Sequence, residues 1–125
     1  MKKVLVVDDS ETIRQHVAEA LTAAGFQVIE ASDGAAGLLR AAQHDFSMII
    51  LDVNMPLLNG LEMLERLRDD PKTASIPVVM LTTEAQRSMI ERARQSGASA
   101  WLIKPIKVES LVSTVNKVLQ QKAAS

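Results

Sequence analysis

The sequence predicts a single α/β domain in which helices cover both faces of a five-stranded parallel sheet. Five short apolar segments alternate with amphipathic helical segments along the 125 residues, which is the pattern of a doubly wound (βα)5 unit. The apolar segments lack the polar alternation of a half-exposed strand, as expected for strands of a buried parallel sheet. The predicted strands are residues 3–7, 27–31, 46–51, 78–81 and 100–103.

Capping residues and apolar stripes bound the five helical segments. The first carries the stripe Ile13, Val17 and Leu21 and ends at Gly25, a residue type favoured just after a helix. The second runs from the capping pair Ser32-Asp33 to Gln43, and the third begins at Gly60. The fourth spans residues 84–96 before Gly97, and the fifth carries an apolar stripe from Val108 to Leu119. We expect residues 122–125 to form a frayed tail.

Composition excludes several functional classes. A net charge of -1 and a pI near 6.1 argue against nucleic-acid binding, and the absence of cysteine excludes disulfides and thiolate metal sites. The apolar run that begins at Val4 stops at Asp8, too early for a signal peptide or a membrane helix. His16 and His44 are isolated, so a zinc site is not supported. We expect a soluble, cytoplasmic protein without membrane insertion.

Charged and hydroxyl side chains follow four of the predicted strands. Asp8-Asp9 follows the first strand, Asp52 the third, Thr82 the fourth and Lys104 the fifth. In parallel α/β sheets, ligands bind at the carboxyl ends of the strands, where the winding direction reverses. With the strand order 2-1-3-4-5, the first and third strands are neighbours and all three carboxylates meet. The sequence therefore predicts a site for a divalent cation and a phosphoryl group.

The predicted acidic cluster favours a hard cation. Three carboxylates in one cleft repel, so without a cation one of them would hold a proton. Oxygen-only ligands and few protein contacts favour Mg²⁺, with Mn²⁺ as the alternative ion. A phosphoryl group on Asp52 could share its charge among the cation, Lys104 and the Thr82 hydroxyl. Lys104-Pro105 is a candidate cis peptide bond that would aim the lysine into the cleft.

A simpler interpretation stays open for the first motif. Asp8, Asp9 or Ser10 could cap the first helix, because short polar residues are favoured there, and Asp52 could be an ordinary turn residue. Capping and cation binding are compatible. The joint occurrence of these residues at four strand ends favours the functional interpretation.

With these residues placed, the chain resembles the receiver domains of two-component response regulators, in particular the single-domain chemotaxis regulators. Four motifs in order carry the resemblance, which covers essentially the whole chain. They are Asp8-Asp9, the stretch DVNMPLLNG at 52–60, Thr82-Thr83-Glu84, and Lys104-Pro105. The resemblance itself implies the flavodoxin-like order 2-1-3-4-5, so that order is not independent of it. It also implies that residues 1–125 form one receiver domain without an output domain.

The resemblance implies a role for each matched residue. Asp52 corresponds to the phospho-acceptor, Lys104 to the phosphate-binding lysine and Thr82 to the switch hydroxyl. The implied Mg²⁺ ligands are Asp9 and Asp52 directly, Asp8 through water, and the backbone carbonyl of Asn54. The implied residues that tune hydrolysis of the acyl phosphate are Asn54 and Glu84.

Two positions depart from the family pattern. Trp101 stands where the family usually has a switch Tyr or Phe, which puts the usual inward swing of that ring in doubt. Thr83 stands where a smaller residue is common, and we hypothesise that it narrows access to Asp52. The simpler interpretation of Trp101 is a half-buried anchor of the fifth strand.

The resemblance also implies partners. A histidine kinase would supply the phosphoryl group, the domain would catalyse much of the transfer itself, and it would then hydrolyse the acyl phosphate slowly. A protein effector would bind the surface made by the fourth helix, fifth strand and fifth helix. A monomer or a weak phosphorylation-dependent dimer is expected. The pathway stays open among chemotaxis, a phosphorelay shuttle and a phosphate sink.

Two other functional classes are weaker. Haloacid-dehalogenase-like phosphatases usually place a second Asp two residues after their nucleophile, where this chain has Asn54, which cannot act as acid or base. A docking module without phosphorylation is not favoured either, because all acceptor residues are present. A dinucleotide-binding fold lacks its G-x-G-x-x-G motif after the first strand.

Overall fold

A computed structural model describes residues 2–124 and contains one parallel five-stranded sheet in the order β2-β1-β3-β4-β5. The predicted α/β class and strand order are therefore confirmed. The strands are β1 Lys3–Val7, β2 Gln27–Ala31, β3 Met48–Asp52, β4 Val78–Thr82 and β5 Ala100–Ile103. The helices are α1 Glu11–Ala23, α2 Gly34–Gln43, α3 Gly60–Asp69, α4 Arg87–Gln95 and α5 Val108–Ala124.

Two strands reach further toward the site than the sequence predicts. β3 ends at Asp52, which pairs with Leu81, and β4 ends at Thr82, which pairs with Ile103. Strand pairing therefore fixes the backbone of both residues. At its other end, β3 begins at Met48 rather than at residue 46. Phe46 instead packs edge-on against the His44 ring as a buried loop residue.

Two helix boundaries also differ from prediction. α4 begins at Arg87 rather than at residue 84, because Glu84 makes loop hydrogen bonds through its backbone N–H to Thr82 and its carbonyl to Trp101. α5 continues to Ala124, so the expected frayed tail at 122–124 is wrong, and Ser125 lies outside the described residues. Helix formation there is consistent with a continuous run of good helix formers.

Caps explain where the remaining helices begin and end. Asn59 and Glu62 form a reciprocal capping box at α3, in which each side chain accepts from the other residue's backbone N–H. Asp33 caps α2 as predicted, and Ser10, not Asp8 or Asp9, caps α1. Gly25 follows α1 with φ 99°, and the Phe26 N–H reaches back to the Leu21 carbonyl at 3.0 Å in a Schellman motif.

The sheet separates two hydrophobic layers. One layer joins alternate residues of the central strands to α2, α3 and α4, as shown by Leu51 packed with Leu64 and Ala93. The other joins the intervening residues to α1 and α5, as shown by Ile50 packed with Leu21. Burial on both faces explains the uninterrupted apolar runs 4–7, 48–51 and 78–81 within β1, β3 and β4. Within residues 2–124, no helix is both long and apolar enough to cross a membrane.

Candidate phosphoryl and metal site

The four predicted strand ends meet at one edge of the sheet. Asp8 follows β1, Asp52 and Thr82 are the last residues of β3 and β4, and Lys104 follows β5. The Lys104 N–H donates to the Thr82 carbonyl at 2.8 Å, which extends the β4–β5 pairing by one residue. The Lys104–Pro105 peptide bond is cis, as predicted. The structure therefore brings together all four groups that the sequence singled out.

The lysine lies between two buried carboxylates. Lys104 Nζ is 2.8 Å from Asp8 Oδ2 and 3.3 Å from Asp52 Oδ1. Asp8 and Asp52 are buried, with 2% and 3% of their surface exposed. Burial and, next, the charge of Asp8 raise the pKa of Asp52 to about 6, against the opposing effect of the Lys104 ammonium. Asp52 therefore takes up a proton more readily than a free aspartate does.

The acidic cluster fits a hard divalent cation. Carboxylate oxygens of Asp8, Asp9 and Asp52 lie within 4.8 Å of one another, which is the one such group among residues 2–124. Asp8 Oδ2 is buried and forms an ion pair with Lys104 Nζ, but it accepts no hydrogen bond of good geometry from any of residues 2–124. Asp9 is exposed, which leaves room for water on its side. All-oxygen donors with one open side are what Mg²⁺ or Mn²⁺ prefers.

The loop after β3 passes very close to the predicted acceptor. The Gly60 N–H donates to the Val53 carbonyl at 2.9 Å, and a methyl group on Gly60 would overlap the Asp52 carbonyl oxygen. The sequence identified Gly60 only as the start of a helix, so this packing role was missed. The Asn54 N–H lies 3.4 Å from Asp52 Oδ1, and the Asn54 carbonyl remains a predicted cation ligand.

The Thr82 hydroxyl connects to the Trp101 indole through the backbone of one residue, Glu84. Thr82 is fully buried, and its Oγ1 accepts from the Glu84 N–H at 3.2 Å. The Glu84 carbonyl accepts from Trp101 Nε1 at 3.0 Å. Trp101 is half-buried, as its anchor interpretation predicts. The structure thus places the three residues in one hydrogen-bonded chain.

An apolar cleft of about 340 Å³ opens beside the lysine. The lining residues are Thr12, Ile13, His16, Thr83, Lys104, Pro105 and Ile106. Thr83 is exposed and lines this cleft together with Lys104, and its narrowing of the access to Asp52 stays a prediction. His16 is an exposed helix residue, as predicted, but it faces this cleft.

Sequence reasoning also missed Arg14. Arg14 Nη1 donates to the Asp8 backbone carbonyl at 2.8 Å, and Nε donates to Glu30 Oε1 at 3.1 Å. In the sequence, Arg14 is a polar residue on an amphipathic helix, and such residues usually face solvent. No local signal separates it from the other helix arginines, because its two partners belong to other elements.

Comparisons with known proteins agree with the geometry of the site. A family model described as the response regulator receiver domain matches residues 4–116. The chemotaxis protein CheY-3 of Vibrio cholerae is 34% identical over 120 residues, which cover 95% of this chain and 92% of that protein. Protein PilH of Pseudomonas aeruginosa is 35% identical over 119 residues, covering 95% and 98%.

Solved structures give the same result. Chemotaxis protein CheY4 of Vibrio cholerae superposes with a TM-score of 0.90 at 41% identity, covering 94% of this chain and 98% of that one. A CheY-like receiver domain protein from Methanospirillum hungatei has a TM-score of 0.94 at 23% identity, covering 99% and 98%, and supports the fold alone. From its sequence and its fold, the chain belongs to the response regulator receiver domain family and has a role in phosphorelay signalling.

Proposed function

We propose that Asp52 is the phospho-acceptor and that a phosphohistidine of a histidine kinase is the donor. The observation that carries this proposal is the buried Asp52 carboxylate, whose Oδ1 lies 3.3 Å from a lysine ammonium that also contacts the buried Asp8 carboxylate. Attack by an Asp52 oxygen forms a P–O bond, and the P–N bond to the histidine breaks with its electron pair left on the imidazole. A pKa of about 6 leaves this carboxylate ionised near neutral pH.

Asp8, Asp9, Asp52 and the Asn54 carbonyl would hold Mg²⁺ or Mn²⁺ in this proposal. The bound ion would neutralise charge on the phosphoryl oxygens. The carboxylate oxygens of the three acids cluster within 4.8 Å, which supports this ligand set. Asp8 and Asp9 are adjacent in the chain, and because Asp8 is buried and Asp9 exposed, Asp9 would be the ligand on the solvent side.

Lys104 and Thr82 would receive the transferred group. Lys104 Nζ already lies between the two buried carboxylates, so it can leave Asp52 for a phosphoryl oxygen while it keeps its 2.8 Å contact with Asp8. The Thr82 oxygen accepts from the Glu84 N–H, which leaves the hydroxyl proton available for donation to a phosphoryl oxygen. Turning the hydroxyl toward the phosphoryl group would weaken the bond from Glu84.

The same change would pass to the effector surface. Glu84 connects Thr82 to Trp101, and Trp101 lies on β5 between α4 and α5. We therefore propose that phosphorylation repacks the α4–β5–α5 surface and shifts binding of a protein effector by its different affinity for the two states. If Mg²⁺ and beryllofluoride leave the Trp101 fluorescence and the NMR shifts of this surface unchanged, the coupling is wrong.

The transfer and the slow loss of the phosphoryl group would both be catalysed by the domain itself. Asn54, whose N–H contacts Asp52 Oδ1, and Thr83 and Glu84, which follow Thr82, would set how fast water reaches the acyl phosphate. Rapid turnover of small phosphate esters would contradict this signalling role and would support a phosphatase. The name of the Vibrio relative supports chemotaxis as the pathway, and a shuttle or phosphate sink remains the alternative.

The acceptor is tested by mass spectrometry after incubation with acetyl phosphate and Mg²⁺. We expect one phosphoryl adduct in the native protein, none in Asp52→Asn, and an unchanged adduct in Asp45→Asn, a matched substitution of an exposed loop aspartate. An adduct that survives Asp52→Asn would refute the assignment. Gel filtration with and without beryllofluoride tests the proposed monomer or weak phosphorylation-dependent dimer.

A further inference from the structure

Four contacts hold Asp8 in place. Its N–H donates to the Ala31 carbonyl at the end of β2 at 3.2 Å, and its Oδ1 accepts from the Ser10 N–H at 2.9 Å. Its Oδ2 pairs with Lys104, and its backbone carbonyl accepts from Arg14 at 2.8 Å. Of the two contacts that side chains of other residues make, the one from Arg14 has no part in the proposed chemistry.

The Arg14 bond acts on the peptide unit that joins the two acids. The carbonyl of Asp8 and the N–H of Asp9 belong to one rigid plane, so rotation of that plane changes the backbone angles on both sides of it. Asp9 depends on this plane for its direction, because its exposed carboxylate has no hydrogen bond or ion pair to any of residues 2–124. A group that fixes the plane therefore restrains the backbone from which the Asp9 side chain, through its own rotamers, reaches the acidic cluster.

Arg14 is itself fixed in place. Its Nε donates to Glu30 Oε1 at 3.1 Å, and only 16% of the Arg14 side chain is exposed. Glu30 belongs to β2, one residue before Ala31, which also binds Asp8. The end of β2 thus holds the Asp8 backbone twice, directly through Ala31 and indirectly through Glu30 and Arg14. A bidentate guanidinium suits such a bridge because its donors diverge in one plane.

We infer that Arg14, oriented by Glu30, is a positioning residue for the divalent cation, and that it sets cation affinity by fixing the Asp8–Asp9 peptide plane. This inference rests on the proposed cation site at Asp8, Asp9 and Asp52. The ion would bind weakly if Asp9 sampled several directions, because each binding event would have to order it. Loss of groups that orient metal ligands typically weakens metal affinity about 10- to 100-fold.

The test measures Mn²⁺ affinity from the electron paramagnetic resonance signal of the free ion. We expect Arg14→Met, which keeps the length of the side chain but removes its donors, to bind Mn²⁺ about 10-fold more weakly. The matched control is Arg92→Met, which also removes one positive charge and an Arg–Glu pair, since Arg92 contacts Glu65 on the exposed α3–α4 surface. The control should bind Mn²⁺ as the native protein does.

The outcomes separate positioning from other roles. Native Mn²⁺ affinity in Arg14→Met, even with a lower melting temperature, would show a merely structural residue and overturn the inference. Equal weakening in Arg92→Met would point to net charge and would also overturn it. If Arg14→Met does not fold, Glu30→Ala on the half-exposed edge strand replaces it, with weakening of about 3-fold expected from partial loss of orientation. Native affinity in that variant would again overturn the inference.

Failure of the cation site itself gives a different result. In that case the native protein does not bind Mn²⁺, or Asp9→Asn binds it as the native protein does. Either result would overturn the proposed cation site together with the role of Arg14. A native protein that binds Mn²⁺, with affinity lost in Asp9→Asn but kept in Arg14→Met, overturns the role of Arg14 alone.

Discussion

Replacing Gly60 by alanine should destabilise the protein more than the same change at any of its other glycines. The new methyl group would overlap the Asp52 carbonyl oxygen and would lie 2.9 Å from the Val53 Cα. Both atoms belong to backbone, so no side-chain rotation can relieve the overlap. The strand end that carries Asp52 or the start of α3 has to move instead.

The expected cost follows from these contacts. Overpacking a rigid site lowers the free energy of unfolding by roughly 1–3 kcal/mol. Because the overlapping atoms are backbone and cannot rotate away, we expect Gly60→Ala to cost about 3 kcal/mol, the upper end of that range. The better helix propensity of alanine offsets less than about 1 kcal/mol, because Gly60 is the first residue of its helix. We also expect phosphorylation by acetyl phosphate to slow, since the shift displaces the Asp52 backbone.

Urea unfolding followed by circular dichroism measures the loss, with Gly25→Ala as the control. At Gly25 the added methyl group meets no atom within 4 Å, and the only cost is its φ of 99°, about 1–2 kcal/mol. The same methyl group is thus added at a strained but open position. If Gly60→Ala loses no more free energy of unfolding than Gly25→Ala, the steric argument for Gly60 is refuted.

Three further predictions concern the site. In metal-free protein the folded pKa of Asp52, about 6, lies above its unfolded value of 3.8, so the stability that this group contributes is present at low pH and is lost as pH rises through 6. Relative to Asp52→Asn, the free energy of unfolding should therefore fall by about 3 kcal/mol between about pH 3.5 and pH 7, and a pH-independent difference in urea titrations would contradict this. Trp101→Phe removes the bond to Glu84 and should cost about 1 kcal/mol while speeding hydrogen exchange of the 83–86 loop, and unchanged exchange would argue against that anchor. Thr83→Ala should accelerate phosphorylation and its decay by opening the approach to Lys104, and native rates for both would refute the hypothesis.

The sequence predicted the residues of the site but not the contacts that hold them in place. Asp52, Thr82 and Lys104 could be identified because each follows an apolar strand, and parallel strands place their carboxyl ends together. Arg14 and the linkage from Glu84 to Trp101 could not, since each joins residues from different elements and leaves no periodic trace in the sequence. The predicted start of α4 at residue 84 was wrong for the same reason, because the hydrogen bonds from Glu84 to Thr82 and from Trp101 to Glu84 hold that residue in the loop.

The sequence by itself determined the alternation of strands and helices, the apolar character of the buried strands and the chemical types at the strand ends. Local periodicity records which faces are buried, and that information is present in every short segment. The tertiary structure alone decided the distances from Lys104 to Asp8 and Asp52, the raised pKa of Asp52, and the close approach of Gly60 to its carbonyl. Those properties depend on strand register and on atoms far apart in the chain, which no local pattern specifies.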